Sequence, residues 1–157
     1  MKQFSNFDAN EARNLLMDYY LSPNNKKVLS EDQKAEYQVL KVSNNHNQQI
    51  KCASTTCNDL LYLNLKLEDN KITDCSFDGY GCAVFLAATD IFISQIKNKT
   101  LTEAKQLAWD FEAFINQTID DETKLANLGD LWIFYNLKKQ PNRLVCASIC
   151  PNLFKND

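Results

Sequence analysis

The fold is decided by residues 61–82, which read LYLNLKLEDNKITDCSFDGYGC. At the start of this stretch leucine occupies every second position, and such alternation is typical of a β-strand with one buried face. Asp69 and Asn70 then predict a tight turn, because short polar side chains tolerate the backbone conformations that tight turns need. The chain returns as a second strand over residues 71–79. The stretch is therefore predicted to be an antiparallel hairpin that leads directly to Cys82.

Helices are predicted downstream of this hairpin. Residues 82–96 are apolar nearly all round, which favours a buried helix. Thr100 and Glu103 form a capping-box pattern, so an amphipathic helix is expected to begin there and to run to about Gln117. Residues 128–137 predict a further short helix.

Upstream of the hairpin the pattern is mixed. Asp8 or Asn10 is expected to cap a helix that ends near Tyr20. Short strands are predicted over residues 37–42 and 48–53. Together these elements predict an α+β protein with a small antiparallel sheet and helices packed on one face.

The composition excludes several classes of protein. The chain has 157 residues, a net charge of −3 and a pI of about 5.2. A mildly acidic chain does not fit a general nucleic-acid binder, which needs a basic face. The longest apolar run, residues 83–88, is too short to span a bilayer, and residues 1–10 lack the apolar core of a secretion signal. We therefore expect a cytoplasmic protein with reduced thiols and without a membrane or nucleic-acid partner.

The cysteines point to metal or redox chemistry. There are six, namely Cys52, Cys57, Cys75, Cys82, Cys146 and Cys150. None belongs to a C-x-x-C pair, which disfavours a thioredoxin-like site and a zinc ribbon. The His-x-Glu and Pro-Cys-x-x-Cys strings of zinc-dependent nucleobase deaminases are also absent. Any site must therefore be assembled from distant parts of the chain.

Three of the cysteines are predicted to lie where elements meet. Cys57 precedes the hairpin, Cys82 begins the buried helix, and Cys146 follows the predicted break at Pro141. Asp59 can turn its carboxylate to the same side as Cys57. Three thiolates and one carboxylate would suit zinc in tetrahedral geometry. The spacing alone leaves two other interpretations open: the three thiols are buried apolar side chains, or Asp59 only caps a turn.

Several motifs stand in a fixed order along the chain. They are LMDYYLSPNN at 16–25, CND at 57–59, GYGCA at 79–83, KNKTLTEA at 97–104, LGDL at 128–131 and PNRLVCA at 141–147. In this order they resemble the U-type iron–sulfur cluster assembly family, which includes IscU, SufU and the N-terminal part of NifU. The resemblance implies the SufE/NifU-like fold and a single domain over residues 1–157. Its core would span about residues 12–154, with residues 30–47 as an insertion.

The resemblance also implies a function. Cys57, Asp59, Cys82 and Cys146 match the metal-binding positions of the family. The implied cofactor is zinc, or alternatively a [2Fe–2S] cluster. The implied partner is a cysteine desulfurase of the NifS/SufS type, and apo iron–sulfur proteins are further candidates. Cys57 is the expected sulfur acceptor, and Arg143 is expected to give electrostatic support to the thiolates.

Within the family, the chain is most similar to the SufU branch. Val145 stands where the IscU branch has a histidine, and Arg143 matches an arginine of the SufU branch. This similarity implies a zinc-dependent, sulfurtransferase-like acceptor rather than a free-standing enzyme. The alternative is a diverged, non-transferring interaction module that keeps a structural zinc and regulates a desulfurase. Only the first function needs a ligand cysteine that becomes persulfidated.

Some positions depart from the family pattern. Asn98 replaces a glycine at a helix end, where asparagine best tolerates a left-handed backbone. Tyr19 replaces a histidine of the first helix. Pro151 falls within the expected last helix, which must therefore start late, kink or end at Cys150.

Overall fold

The computed structural model describes residues 7–54 and 58–155. A three-stranded sheet is followed by a series of helices. The elements are α1 (Ala9–Leu21), α2 (Glu31–Lys34), β1 (Asn47–Ala53), β2 (Leu60–Glu68), β3 (Lys71–Tyr80), α3 (Ala83–Ile96), α4 (Leu101–Ile115), α5 (Glu122–Asn127), two 3₁₀ helices (Gly129–Phe134 and Leu137–Lys139) and α6 (Pro141–Leu153). Among the described residues, no helix is long and apolar enough to cross a membrane.

The predicted hairpin is confirmed as the centre of the sheet. The strand order is β1-β2-β3 and both pairings are antiparallel. The alternating leucines of β2 are buried on one face. Asp69 and Asn70 form the turn with φ angles of 51° and 64°, the left-handed conformation that a two-residue hairpin turn requires. β3 continues to Tyr80, one residue further than predicted.

The core lies between the leucine face of the sheet and the longer helices, so the predicted α+β fold class is confirmed. α3 is buried along most of its length and packs against α1, α6 and β3. Its aromatic side chains Phe85 and Phe92 are fully buried, and Phe92 contacts Phe154 with ring centroids 5.3 Å apart. Cys82 caps α3, and its partly buried side chain packs against this core.

The strand predicted over residues 37–42 is wrong. Gln38 alone pairs with β1: its N–H donates to Gln49 O, and its carbonyl accepts from Lys51 N. The chain then leaves the sheet, because Val42 is fully buried and its N–H donates to the Leu153 carbonyl at the end of α6. Tertiary packing of one valine therefore overrides the β propensity of this segment.

The opposite face of the sheet is covered by α2 and the residues next to it. The Tyr62 side chain points away from the leucine face and is 8% exposed. Tyr37 meets it edge to face with ring centroids 5.5 Å apart, and Lys34 Nζ lies 5.5 Å from the ring centre. The segment predicted to be an insertion thus shields a tyrosine that water would otherwise reach.

The last helix differs from the prediction. Pro141 is its first residue, where a missing N–H costs no helical hydrogen bond, so the helix begins at the predicted break and Cys146 lies within α6. The helix also continues past Pro151 to Leu153. It does so because Pro151 lies in the final turn, where only the Ala147 carbonyl loses its helical donor.

Two departures from the family pattern are accommodated locally. Asn98 has a φ of 66° and its N–H donates to the Ile72 carbonyl at 2.8 Å, as expected for an asparagine that replaces glycine. Tyr19 donates its hydroxyl to Asp130 Oδ2 at 2.6 Å and so joins α1 to the first 3₁₀ helix. Burial and this hydrogen bond raise the pKa of Tyr19, which keeps the hydroxyl protonated as a donor.

Residues 128–137 were predicted as one short helix, and this prediction is wrong in detail. The segment forms two 3₁₀ helices separated near Tyr135. Phe7 stacks on Trp132 and Tyr135 with centroid distances of 5.9 and 5.0 Å. Aromatic packing rather than a regular helical repeat therefore determines the backbone here.

Candidate metal centre

Three predicted ligands come together at one end of the sheet. Asp59, Cys82 and Cys146 each offer a ligand atom, and these atoms all lie within 4.8 Å of one another. Asp59 immediately precedes β2, Cys82 caps α3, and Cys146 lies in the second turn of α6. Cys57, the predicted fourth ligand, lies outside the described residues.

The Asp59 carboxylate is buried, and only one of its two oxygens accepts a hydrogen bond from the described residues. Asp59 is 4% exposed, and its Oδ1 accepts a hydrogen bond from the Cys82 N–H at 2.9 Å. Its Oδ2 is buried and accepts no hydrogen bond within the described part of the chain. An unpaired buried carboxylate oxygen is costly, and a cation removes that cost. The residues present therefore fit a bound metal.

Gly81 makes room for this carboxylate. A Cβ atom at position 81 would lie 2.1 Å from Asp59 Oδ1 and 2.8 Å from Phe85 Cδ2. Both distances are far below van der Waals contact, so no other residue fits here unless the carboxylate and the Phe85 ring both move. The prediction did not identify this role. A possible signal was that one of only three glycines in the chain directly precedes a cysteine.

The Cys82 sulfur lies at the N-terminus of α3. Its side chain is partly buried, and its Sγ accepts from the Phe85 N–H at 3.5 Å. The unpaired N–H groups and the dipole at a helix N-terminus stabilise negative charge. The Cys82 sulfur is therefore placed where it can serve as a metal ligand.

Cys146 approaches the centre from the other side. It is 1% exposed, on the face of α6 that packs against α3. Arg143 lies one turn earlier in α6, is exposed and forms no ion pair with the described residues. The structure therefore places Arg143 on the same helix as Cys146 but not in an ion pair with the Asp59 carboxylate.

The other three cysteines lie outside this cluster. Cys75 and Cys150 are fully buried, and burial raises the pKa of both thiols. Cys52 is partly buried, and its pKa is also raised by burial. All three are therefore neutral thiols near pH 7, as expected for cysteines that serve packing.

Comparisons with known proteins identify the family of this chain and several relatives. Residues 11–147 match the family described as "NifU-like N terminal domain". A "Zinc-dependent sulfurtransferase SufU" from Bacillus subtilis (strain 168) is 27% identical over 137 residues, which cover 87% of this chain and 82% of the relative. An "Iron-sulfur cluster assembly scaffold protein IscU" from Streptococcus pyogenes serotype M1 is 28% identical over 100 residues, or 64% of this chain and 62% of the relative.

A solved structure shows the same likeness. It is a protein from Fervidobacterium islandicum AW-1 described as a "Putative iron-sulfur cluster assembly scaffold protein for SUF system". This structure superimposes with a TM-score of 0.67 at 28% sequence identity. The alignment covers 90% of this chain and 91% of the other.

Proposed function

The chain belongs to the NifU-like N-terminal domain family, the family of the IscU and SufU proteins, and on that premise we propose that it serves iron–sulfur cluster assembly as a metal-binding acceptor of sulfur. The proposed ligands are Cys57, Asp59, Cys82 and Cys146. The proposed donor of sulfur is a cysteine desulfurase in the cytoplasm, and the proposed recipients are apo iron–sulfur proteins. Residues 1–157 are proposed to form a single domain.

The Asp59 carboxylate carries the proposal, because one of its oxygens lies within 4.8 Å of two cysteine sulfurs and its buried Oδ2 has no hydrogen-bond partner among the described residues. Two thiolates and a carboxylate provide three corners of a tetrahedral zinc site, and the Cys57 thiolate would supply the fourth. When bound, zinc would keep the cysteine ligands deprotonated near neutral pH. Similarity to a relative named as a zinc-dependent sulfurtransferase favours zinc over an iron–sulfur cluster as the resident group.

Cys57 is proposed to accept the sulfur, because the other two cysteines are constrained. Cys146 is 1% exposed within a packed helix, and Cys82 is held at a helix cap by the Phe85 N–H. The Cys57 thiolate would attack the outer sulfur of a persulfide on the desulfurase. The bond between the two persulfide sulfurs breaks, the desulfurase cysteine leaves as a thiolate, and Cys57 becomes persulfidated. Arg143 is proposed to offset negative charge near these thiolates.

Metal content tests the site directly. Protein purified anaerobically without a metal-binding tag is expected to contain about one zinc per chain. Cys82→Ser is expected to reduce this to less than about a tenth, because hydroxyl oxygen replaces a thiolate ligand. Cys52→Ser, which changes a partly buried cysteine outside the cluster, serves as the matched control and should keep its zinc. Zinc, iron and acid-labile sulfide are measured together.

The outcomes of the metal assay differ clearly. Iron with a matching amount of sulfide would assign the site to a cluster instead of zinc. The absence of metal from both the wild-type and the control protein would contradict the proposed four-ligand site.

Transfer of sulfur is a separate prediction. Incubation with a cysteine desulfurase and cysteine is expected to add one sulfur atom to Cys57, detected by mass spectrometry of the alkylated peptides. Cys57→Ser should abolish the addition, whereas Cys52→Ser should not. Zinc bound in normal amount with no persulfide on Cys57 would contradict sulfur transfer and favour the regulatory interaction module.

A further inference from the structure

A pocket of about 310 Å³ lies at the opposite end of α3 from the cysteine cluster. It is formed by the end of α3, one face of α4 and the end of α5. α3 has 14 residues, so the pocket end of this helix is about 21 Å from the Cys82 cap. The pocket is therefore a separate feature from the proposed metal centre.

Asp110 is the buried charge of this pocket. Its side chain is 8% exposed. Its Oδ1 accepts from Gln106 Nε2 at 2.9 Å and lies 3.9 Å from Lys124 Nζ, whereas Oδ2 accepts no hydrogen bond from the described residues. Oδ2 is not among the fully buried atoms that lack a partner, so it is open to solvent from the pocket. Oδ2 is thus available to a donor that enters the pocket.

The remaining lining has both polar and apolar parts. The side-chain amides of Gln95 and Asn127 border the pocket and make no hydrogen bonds with the described residues. Ile96 and Leu107 supply apolar walls. An occupant would therefore meet amide oxygens that can accept hydrogen bonds and an aliphatic surface that can bury methylene groups.

These groups restrict the chemistry of the occupant. Lys99 and Glu103 also line the pocket, and their opposite charges offset each other. Lys124, the ion-pair partner of Asp110, is half-exposed and is not a lining residue, so Asp110 makes the lining favour a cation that competes with Lys124. A metal ion needs several ligands, and among the described residues the one group placed to hold a metal is at the other end of α3. A guanidinium would use both carboxylate oxygens side by side and would have to share Oδ1 with Gln106, whereas an ammonium needs Oδ2 alone and leaves that hydrogen bond in place.

We propose that this pocket binds a primary alkylammonium group. Its ammonium donates to Asp110 Oδ2 and to the amide oxygens of Gln95 and Asn127, while its alkyl stem packs along Ile96 and Leu107. The group can be presented by a small free amine or by a lysine side chain of another protein, since both offer the same ammonium on the same stem. The site goes beyond the proposed function and does not depend on it.

Titration of the full-length, metal-loaded protein tests this site. The probes are cadaverine, as a free amine, and the N-methylamide of α-N-acetyl-lysine, as a stand-in for a protein lysine. Binding is followed through backbone amide shifts in two-dimensional NMR. We expect a Kd of roughly 0.1–1 mM for at least one probe, with shifts confined to α4 and the ends of α3 and α5. The probe that binds tells the free amine from the lysine side chain.

Substitutions separate the proposed contact from general charge effects. Asp110→Asn keeps the acceptor for Gln106 but removes the charge, so it is expected to weaken binding at least about tenfold. Asp32→Asn makes the same charge change on exposed α2 and should leave the Kd unchanged. Lys124→Gln removes a competing ammonium and should strengthen binding a few-fold.

The site is overturned by any of three results. The first is the absence of shifts with both probes at about 10 mM. The second is equal binding by the wild type and Asp110→Asn, once thermal unfolding shows that the variant is folded. The third is equal binding of a lysine derivative whose ε-amine is acetylated, because that group carries no ammonium.

Discussion

Replacement of Asp90 by asparagine is expected to lower the free energy of unfolding by about 3 kcal/mol. Asp90 is fully buried in α3. Its Oδ1 accepts from the Asn25 backbone N–H at 2.7 Å and from Asn25 Nδ2 at 3.1 Å, and its Oδ2 accepts from the Asn24 N–H at 3.0 Å. An asparagine has one acceptor oxygen, so its amide nitrogen would face a backbone donor and leave both groups unsatisfied.

The hydrogen bonds of Asp90 position both the turn at Asn24 and Asn25 and the segment that pairs with β3. The Asn25 carbonyl accepts from the Phe77 N–H at 3.0 Å, and Lys27 donates back to the Phe77 carbonyl at 2.8 Å. The segment held by Asp90 therefore covers the free edge of β3, which would otherwise expose unpaired backbone groups. Loss of the carboxylate should loosen both the turn and this edge.

Urea unfolding followed by circular dichroism measures the effect of Asp90→Asn. Asp120→Asn makes the same change on an exposed residue, and it should alter stability by less than about 0.5 kcal/mol. A loss of less than about 0.5 kcal/mol in Asp90→Asn would mean that the three hydrogen bonds contribute little, and would contradict the account of this turn.

The elements that the sequence predicted correctly are those with a strong local signal. The alternation in β2 and the capping box at Thr100 each depend on side chains close together in the chain, and both are observed. The predicted strand over residues 37–42 had the composition of a strand, but burial of Val42 against α6 decided its path. That contact joins residues more than a hundred positions apart, so no local pattern carries it.

The candidate site also has features that the sequence predicts and features that depend on tertiary contacts. Spacing alone could not predict that Asp59, Cys82 and Cys146 lie close together, because their proximity depends on how α6 packs against α3. Ordered motifs of a family supplied that long-range information. The helical position of Cys146 and the clearance at Gly81 were not predicted, since the first requires the helix start at Pro141 and the second requires the path of the backbone next to a carboxylate.

Gly81→Ala is expected to weaken zinc binding by about 100-fold while leaving most of the fold intact. The new methyl group would overlap Asp59 Oδ1, whose carboxylate is the mobile end of a short side chain and is therefore the group that moves. Movement breaks the hydrogen bond from the Cys82 N–H and displaces the carboxylate relative to the two sulfurs. The new methyl group would also lie 2.8 Å from Phe85 Cδ2, and φ at position 81 is 158°, so the metal-free variant is expected to lose some stability as well. Its unfolding is therefore measured beside its zinc affinity.

Competition with a chromophoric chelator gives the zinc affinity of this variant, and the visible spectrum of the cobalt-substituted protein reports whether the coordination remains tetrahedral. Gly129→Ala is the matched control. Gly129 has a φ of 54° and a Cβ there would lie 2.2 Å from the Gln95 side chain, so alanine strains the fold away from the metal centre. Gly129→Ala should lose stability but keep the wild-type affinity and cobalt spectrum. Equal losses of zinc affinity in both variants would show that general strain, and not the position of the Asp59 carboxylate, governs metal binding. A loss confined to Gly81→Ala would show that the Asp59 carboxylate can reach the metal only because position 81 has no side chain.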